Sequence, residues 1–284
     1  MKGYYISVNW ARYSTSIVVN YLDTSTVKIS KKLNKTTLPS DMIFTKAYSS
    51  TSYEQVEKLT REFNIHYRYC IGSLIYLLST RVDFSFTIHK LAKFPSNPGK
   101  VHFGGLVNLL RYIRDNKTLD LNYYADMKDA RLSDLMIQAS INTENQLMAF
   151  SYSSWKYFPY TVRSTGAYII FYQGGPIDHG TYVPGPFYQS GAESEYNAAC
   201  TAVMDLARLR LLIHDFLNKD PYIVPEEAPL IIFYSKSRVC MAKNGKDTKH
   251  TRNIARSVHF VRNGEKFKMH RIDWCEGGLK LADI

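Results

Sequence analysis

The sequence predicts an α/β protein in which a mostly helical first part precedes a mixed sheet with flanking helices. Three observations carry this. Beyond Gln146, the short β-rich runs Gln146 to Ser151, Gly166 to Tyr172 and the residues around Thr181 to Val183 are separated by turn signals such as Gly174-Gly175-Pro176, and they read as an antiparallel meander. The stretch Gln189 to Phe216 then sets Tyr196, Ala199, Cys200, Val203, Ala207 and Leu211 at spacings of three and four, one face of a long helix. After it, Ala228 to Tyr234 has the continuous apolar run of a buried strand.

Taken in order, Met1 to Lys46 is weakly organised. Thr15 to Tyr21 fits strand or helix, and Lys28 to Lys35 is a basic, loop-like run. Tyr53 to Phe63 is polar and helix-compatible, and Ile71 to Leu78 is apolar enough for a buried helix. Asp83 is placed to cap a further helix running through Phe86 and Leu91 to Phe94. Ser96-Asn97-Pro98-Gly99 breaks the chain, and Val101 to Arg114 forms the next helix, with Leu106, Leu109, Leu110 and Ile113 on one face. Thr118 to Tyr124 alternates like a strand. The polar stretch Met127 to Asn145 marks the expected boundary between two domains, 1–126 and 140–284.

In the long helix, Ser190 is the expected N-cap, with Glu193 three residues on as in a capping box, and Asn218 and Pro221 stop it. Glu195 lies in its first turn, where the positive end of the helix dipole favours a carboxylate for purely structural reasons. Val239 to Lys243 reads as a short helix, Lys249 to Val261 as a basic amphipathic one, Lys268 to Trp274 as a last strand and Gly278 to Ile284 as the start of another helix. There is no internal repeat and no low-complexity segment.

Of the 284 residues, 45% are hydrophobic and 21% charged, the balance of a chain with a real core. No run of eighteen apolar residues points to a membrane span, and the N-terminus lacks the apolar region of a signal peptide. Cys70, Cys200, Cys240 and Cys275 show no paired spacing, which argues against a zinc site or a disulfide framework and for a reducing intracellular setting. The net charge of +11 favours a polyanionic partner, most simply nucleic acid, although an acidic membrane surface would answer to the same field.

Several separate motifs, in order from Tyr67 to Ile284, resemble the C-terminal part of the Pol polyprotein of Ty1/copia-type LTR retrotransposons. They are Cys70-Ile71-Gly72-Ser73-Leu74-Ile75-Tyr76-Leu77 with Thr80-Arg81-Val82-Asp83; Ser96-Asn97-Pro98-Gly99-Lys100-Val101-His102 with Leu110-Arg111-Tyr112-Ile113; and Arg163-Ser164-Thr165-Gly166-Ala167-Tyr168 with Ala192-Glu193-Ser194-Glu195-Tyr196. Lys249-His250, His259-Phe260-Val261-Arg262 and Leu281-Ala282-Asp283-Ile284 complete them. The first sixty residues match only loosely. The resemblance implies a remnant of the reverse transcriptase connection followed by a ribonuclease H-like domain with a mixed five-stranded sheet. The polymerase's YxDD hairpin has no counterpart, so polymerase activity is not expected.

What the resemblance implies chemically is two-metal hydrolysis of RNA in an RNA–DNA hybrid, with Mg²⁺ or Mn²⁺ ions about 4 Å apart activating water and stabilising the leaving oxygen. Hard cations need a carboxylate cluster, and the family uses three Asp and one Glu. Glu195 matches the Glu, and Asp283 matches the Asp of the terminal motif. The other two aspartates are replaced: the first-strand motif reads Ser151-Tyr152-Ser153-Ser154-Trp155, and the fourth-strand motif Tyr234-Ser235-Lys236-Ser237. A phenol with a pKa near 10 is neutral at pH 7 and bulkier than a carboxylate. Metal binding and nuclease activity are therefore expected to be lost, unless substitutes such as Asp178 or Asp273 are recruited. Ser190, Lys249, Arg252, Arg256, His259 and Arg262 are the expected nucleic-acid contacts: Ser190 at the start of the long helix, and the others within a basic run, Lys243 to Arg271, that reads as a phosphate-binding stripe. Each has a plain alternative as an N-cap or a solvated basic face. The competing reading is a non-catalytic nucleic-acid-binding or structural module, in either case part of a longer polyprotein.

Overall fold

The computed structural model describes residues 4–27, 33–39, 42–126, 132, 136–137, 147–154, 164–184, 188, 190–218, 228–243 and 255–275. The chain forms two compact units. One is Ser7–Leu121; the other is Asn122–Asp283 together with the N-terminal residues to Ile6. Each has its own apolar core.

Strand β1 (Tyr5–Val8) leads into helix α1 (Ala11–Ile17), which continues as a π-helical segment, Val18–Asp23. The ambiguous run Thr15 to Tyr21 is thus helical, because Ser14, Ile17, Val18 and Leu22 fall on one side and are buried in the core of the first unit. Helix α2 (Tyr53–Phe63) starts where the Ser52 hydroxyl accepts the Gln55 N–H, and it stops at Asn64 in the left-handed conformation (φ 51°). Helix α3 (Tyr67–Leu77) buries Cys70, Ile71, Leu74 and Leu77.

Asp83 does not cap the next helix. It lies within a 3₁₀ turn, Val82–Phe84, ahead of α4 (Ser85–Leu91), and both its oxygens accept N–H groups of Arg81 at 2.8 Å. The Arg81 side chain is 2% exposed, and a buried guanidinium without its counter-charge costs more than a missing cap. Helix α5 (Lys100–Asp115) has the predicted face, with Leu106, Leu109, Leu110 and Ile113 all buried. Strand β2 (Leu121–Tyr124) follows.

The second unit carries a five-stranded sheet. Its strands are β3 (Leu147–Ser154), β4 (Thr165–Tyr172), β5 (Gly175–Tyr182), β6 (Leu230–Phe233) and β7 (Arg271–Trp274), in the spatial order β5-β4-β3-β6-β7. The first three form the expected antiparallel meander; β6 runs parallel to β3, and β7 parallel to β6. Helix α6 (Gly191–Asn218) connects β5 to β6, α7 (Lys236–Lys243) follows β6, and α8 (Ala255–Lys266) precedes β7. This is the mixed five-stranded sheet with flanking helices that the resemblance implied.

Helix α6 lies across β3 and β4 and against α8. Its buried face is not quite the predicted one. Tyr196, Ala199, Ala202, Val203, Leu206 and Leu209 line the core, whereas Leu211 is 55% exposed. At 100° per residue, Leu211 lies about 130° from the centre of that face, outside the buried stripe. A helix on a sheet buries a broad stripe, and Ala198 and Ala202 widen it on the side away from Leu211. The predicted boundary stretch Met127 to Asn145 lies, but for three residues, outside the described residues, as does the terminal run Gly278 to Ile284. Among the described residues, no helix is long and apolar enough to cross a membrane.

Candidate active site

Strands β3 and β6 are adjacent and parallel, with Phe150 opposite Ile232. That register sets Tyr152, two residues further along β3, beside Tyr234, the first residue after β6. Their rings meet edge to face, with centroids 6.5 Å apart at 69°, and Tyr234 also stacks on Phe150 at 6.3 Å. Both tyrosines are half-buried. The two strand positions therefore come together, and what they bring is a pair of aromatic rings.

The first turn of α6 meets the same end of β3. The Ser190 hydroxyl accepts the Glu193 N–H at 3.2 Å, so the predicted N-cap is formed. Ser194 is buried, and its hydroxyl hydrogen-bonds that of Ser153, the residue after Tyr152. Tyr196 is buried, and its hydroxyl donates to the carbonyl oxygen of Arg238 on α7. Between these two anchors, Glu195 pairs with the guanidinium of Arg238. The pair is sheltered, with the Arg238 side chain 16% exposed and that of Glu195 23%. Burial pulls Arg238 down to about 10, which leaves it a cation at neutral pH.

The remaining expected residues are spread more widely. Arg256 is exposed at the start of α8, and His259 is half-buried. Arg262 donates to the carbonyl oxygens of Met241 and Ala242 at 3.3 Å, tying α8 to the end of α7. Lys249, Arg252 and Asp283 lie outside the described residues, as do His250 and Trp155. Of the possible substitute ligands, Asp178 accepts the His179 N–H and faces Arg208, and Asp273 accepts the Trp274 N–H.

Magnesium or manganese needs several charged oxygen ligands. Here the described donors are two neutral phenols and one carboxylate already matched by a guanidinium. Among the described residues, no group of three or more His, Cys, Asp and Glu side chains could hold a metal ion. The described residues do not fit the two-metal chemistry. Arg238 is the residue at this site that sequence reasoning missed. Its signal was weak: one of two basic residues in the first turn of a short helix, four positions after Tyr234.

No protein-family model matches the chain. It is similar to retrovirus-related Pol polyproteins from transposons RE2 and RE1 of Arabidopsis thaliana, each 24% identical over 76% of this chain, and from transposon TNT 1-94 of Nicotiana tabacum, 25% identical over 78%. The chain spans only 13–15% of the length of these relatives. It is also similar to the secreted RxLR effector protein 161 of Plasmopara viticola, 24% identical over 50% of this chain and 89% of the effector. Among solved structures, it is similar to the N-terminal RNase H domain of a Mycobacterium tuberculosis protein (10% identity, 48% of this chain, 87% of that one, TM-score 0.36) and to LC11-RNase H1 in complex with an RNA/DNA hybrid (14%, 48% and 91%, TM-score 0.34).

Proposed function

We propose that this chain is a segment of a copia-type retrotransposon Pol polyprotein. In this reading, 1–126 is a remnant of the reverse transcriptase connection, and 140–284 is a ribonuclease H-like domain that keeps its fold and a nucleic-acid-binding surface without hydrolysing RNA. The relatives' descriptions support the polyprotein context. One observation carries the loss of catalysis: the Tyr152 and Tyr234 rings pack against each other on adjacent strands, and the surviving helix carboxylate, Glu195, is neutralised by Arg238. Two-metal hydrolysis needs ligand charge to hold the ions and to lower the pKa of the attacking water, and this arrangement supplies almost none.

Binding without cleavage is the other half of the proposal. The net charge of +11 favours a polyanion for the chain as a whole, with most of it on 7–121, and within 140–284 the exposed Arg256 with Ser190 at the α6 N-terminus are the described candidates for phosphate contact. The decisive experiment incubates the chain with an RNA–DNA hybrid and Mg²⁺ or Mn²⁺. Salt-dependent binding without cleavage is expected, and metal-dependent cleavage by the unaltered chain overturns the reading.

A further inference from the structure

The Glu195–Arg238 pair has a consequence beyond lost activity, and the inference rests on the reading above. We infer that Arg238 is a resident cation: its guanidinium meets the charge of Glu195 that a divalent ion would otherwise meet, so the folded chain completes this site without metal and resists metal binding there.

Four features support it. Arg238 comes from α7 and Glu195 from α6, so the pair joins two elements that follow different strands. The Tyr196 hydroxyl holds the Arg238 backbone from the neighbouring position on α6, which fixes where the guanidinium is delivered. The Ser194–Ser153 hydrogen bond fixes the first turn of α6 on β3, so Glu195 has little freedom to turn toward another partner. Finally, a sheltered carboxylate is costly unless paired, and a planar guanidinium is the side chain best shaped to pair with it. An internal positive charge this close also repels any second cation.

Two measurements on the full chain test this. In the first, denaturation midpoints are compared for Glu195→Gln, Arg238→Gln and the double variant. Each single change is expected to lower the midpoint, and the double to lower it no further than the worse single change, because the two side chains act as one unit. Additive losses overturn the pairing. In the second, Mn²⁺ binding is followed by electron paramagnetic resonance in a Tyr152→Asp/Tyr234→Asp background carrying Arg238, Arg238→Lys or Arg238→Gln. Arg238→Gln is expected to tighten Mn²⁺ binding by about tenfold or more, and the charge-keeping Arg238→Lys much less. Equal affinity in all three backgrounds overturns the exclusion. If these tests fail while the unaltered chain still cleaves no hybrid, only the resident cation falls. If the unaltered chain cleaves, the inactive reading falls whatever Arg238 does.

Discussion

Ser190 and His102 show how single side chains hold ordinary structural posts within motifs that look functional. Ser190 accepts the Glu193 N–H at the start of α6, so Ser190→Ala is expected to cost about 1 kcal/mol of stability, read as a lower urea midpoint. His102 is fully buried on α5, where its Nδ1 accepts the Gly99 N–H. Burial drops its pKa from the ordinary 6.5 to about 4, so the fold holds the imidazole neutral. The unfolded chain takes up that proton more readily, so this contribution is intact above pH 6.5 and is lost as pH falls toward 4. Denaturation midpoints measured across that window should decline, and His102→Asn, which keeps an acceptor for Gly99, should flatten the decline.

Among the elements, α6 is the one whose sequence pattern and structure differ most usefully. Spacing alone put Leu211 on its buried face, but contact with β3 and β4 selects Leu206 and Leu209. Leu206→Ala is therefore expected to destabilise by about 2–5 kcal/mol and Leu211→Ala by less than about 0.5 kcal/mol, a contrast that chemical denaturation resolves easily. The close contact between α8 and the residue just before β7 gives a second element-scale test. A Cβ at Gly264 would collide with the buried His270 ring, whose Nε2 bonds the Val261 carbonyl. Gly264→Ala should lower the melting temperature, because that ring is packed in on the side where the methyl would go.

Across the whole molecule, charge and fold are distributed unequally. Residues 7–121 hold sixteen lysines and arginines against eight acidic residues, so +8 of the +11 belongs to the helical unit. If nucleic acid is held by this field, affinity for an RNA–DNA hybrid should fall linearly with salt on logarithmic axes. Separate cores in the two units also predict that Leu206→Ala lowers one calorimetric transition and spares the other.

Much of this was legible in the residues. The periodicity of α5, the apolar run of β6 and the turn signals between β3, β4 and β5 are local, and local backbone preference with one-sided burial is enough to specify them. The placing of Tyr152 and Tyr234 near the ends of two strands was also legible in the chain itself. Asp83 shows where local reasoning ends: its cap was plausible by spacing, yet a buried arginine two residues away took the carboxylate. The pairing of Glu195 with Arg238 is of the same kind. The sequence by itself determined that Glu195 is a carboxylate in the first turn of a long helix and that positions 152 and 234 carry tyrosines. Only the tertiary structure decided what neutralises Glu195, because that depends on which side chain from a distant helix is carried, by packing, to within reach of a sheltered charge.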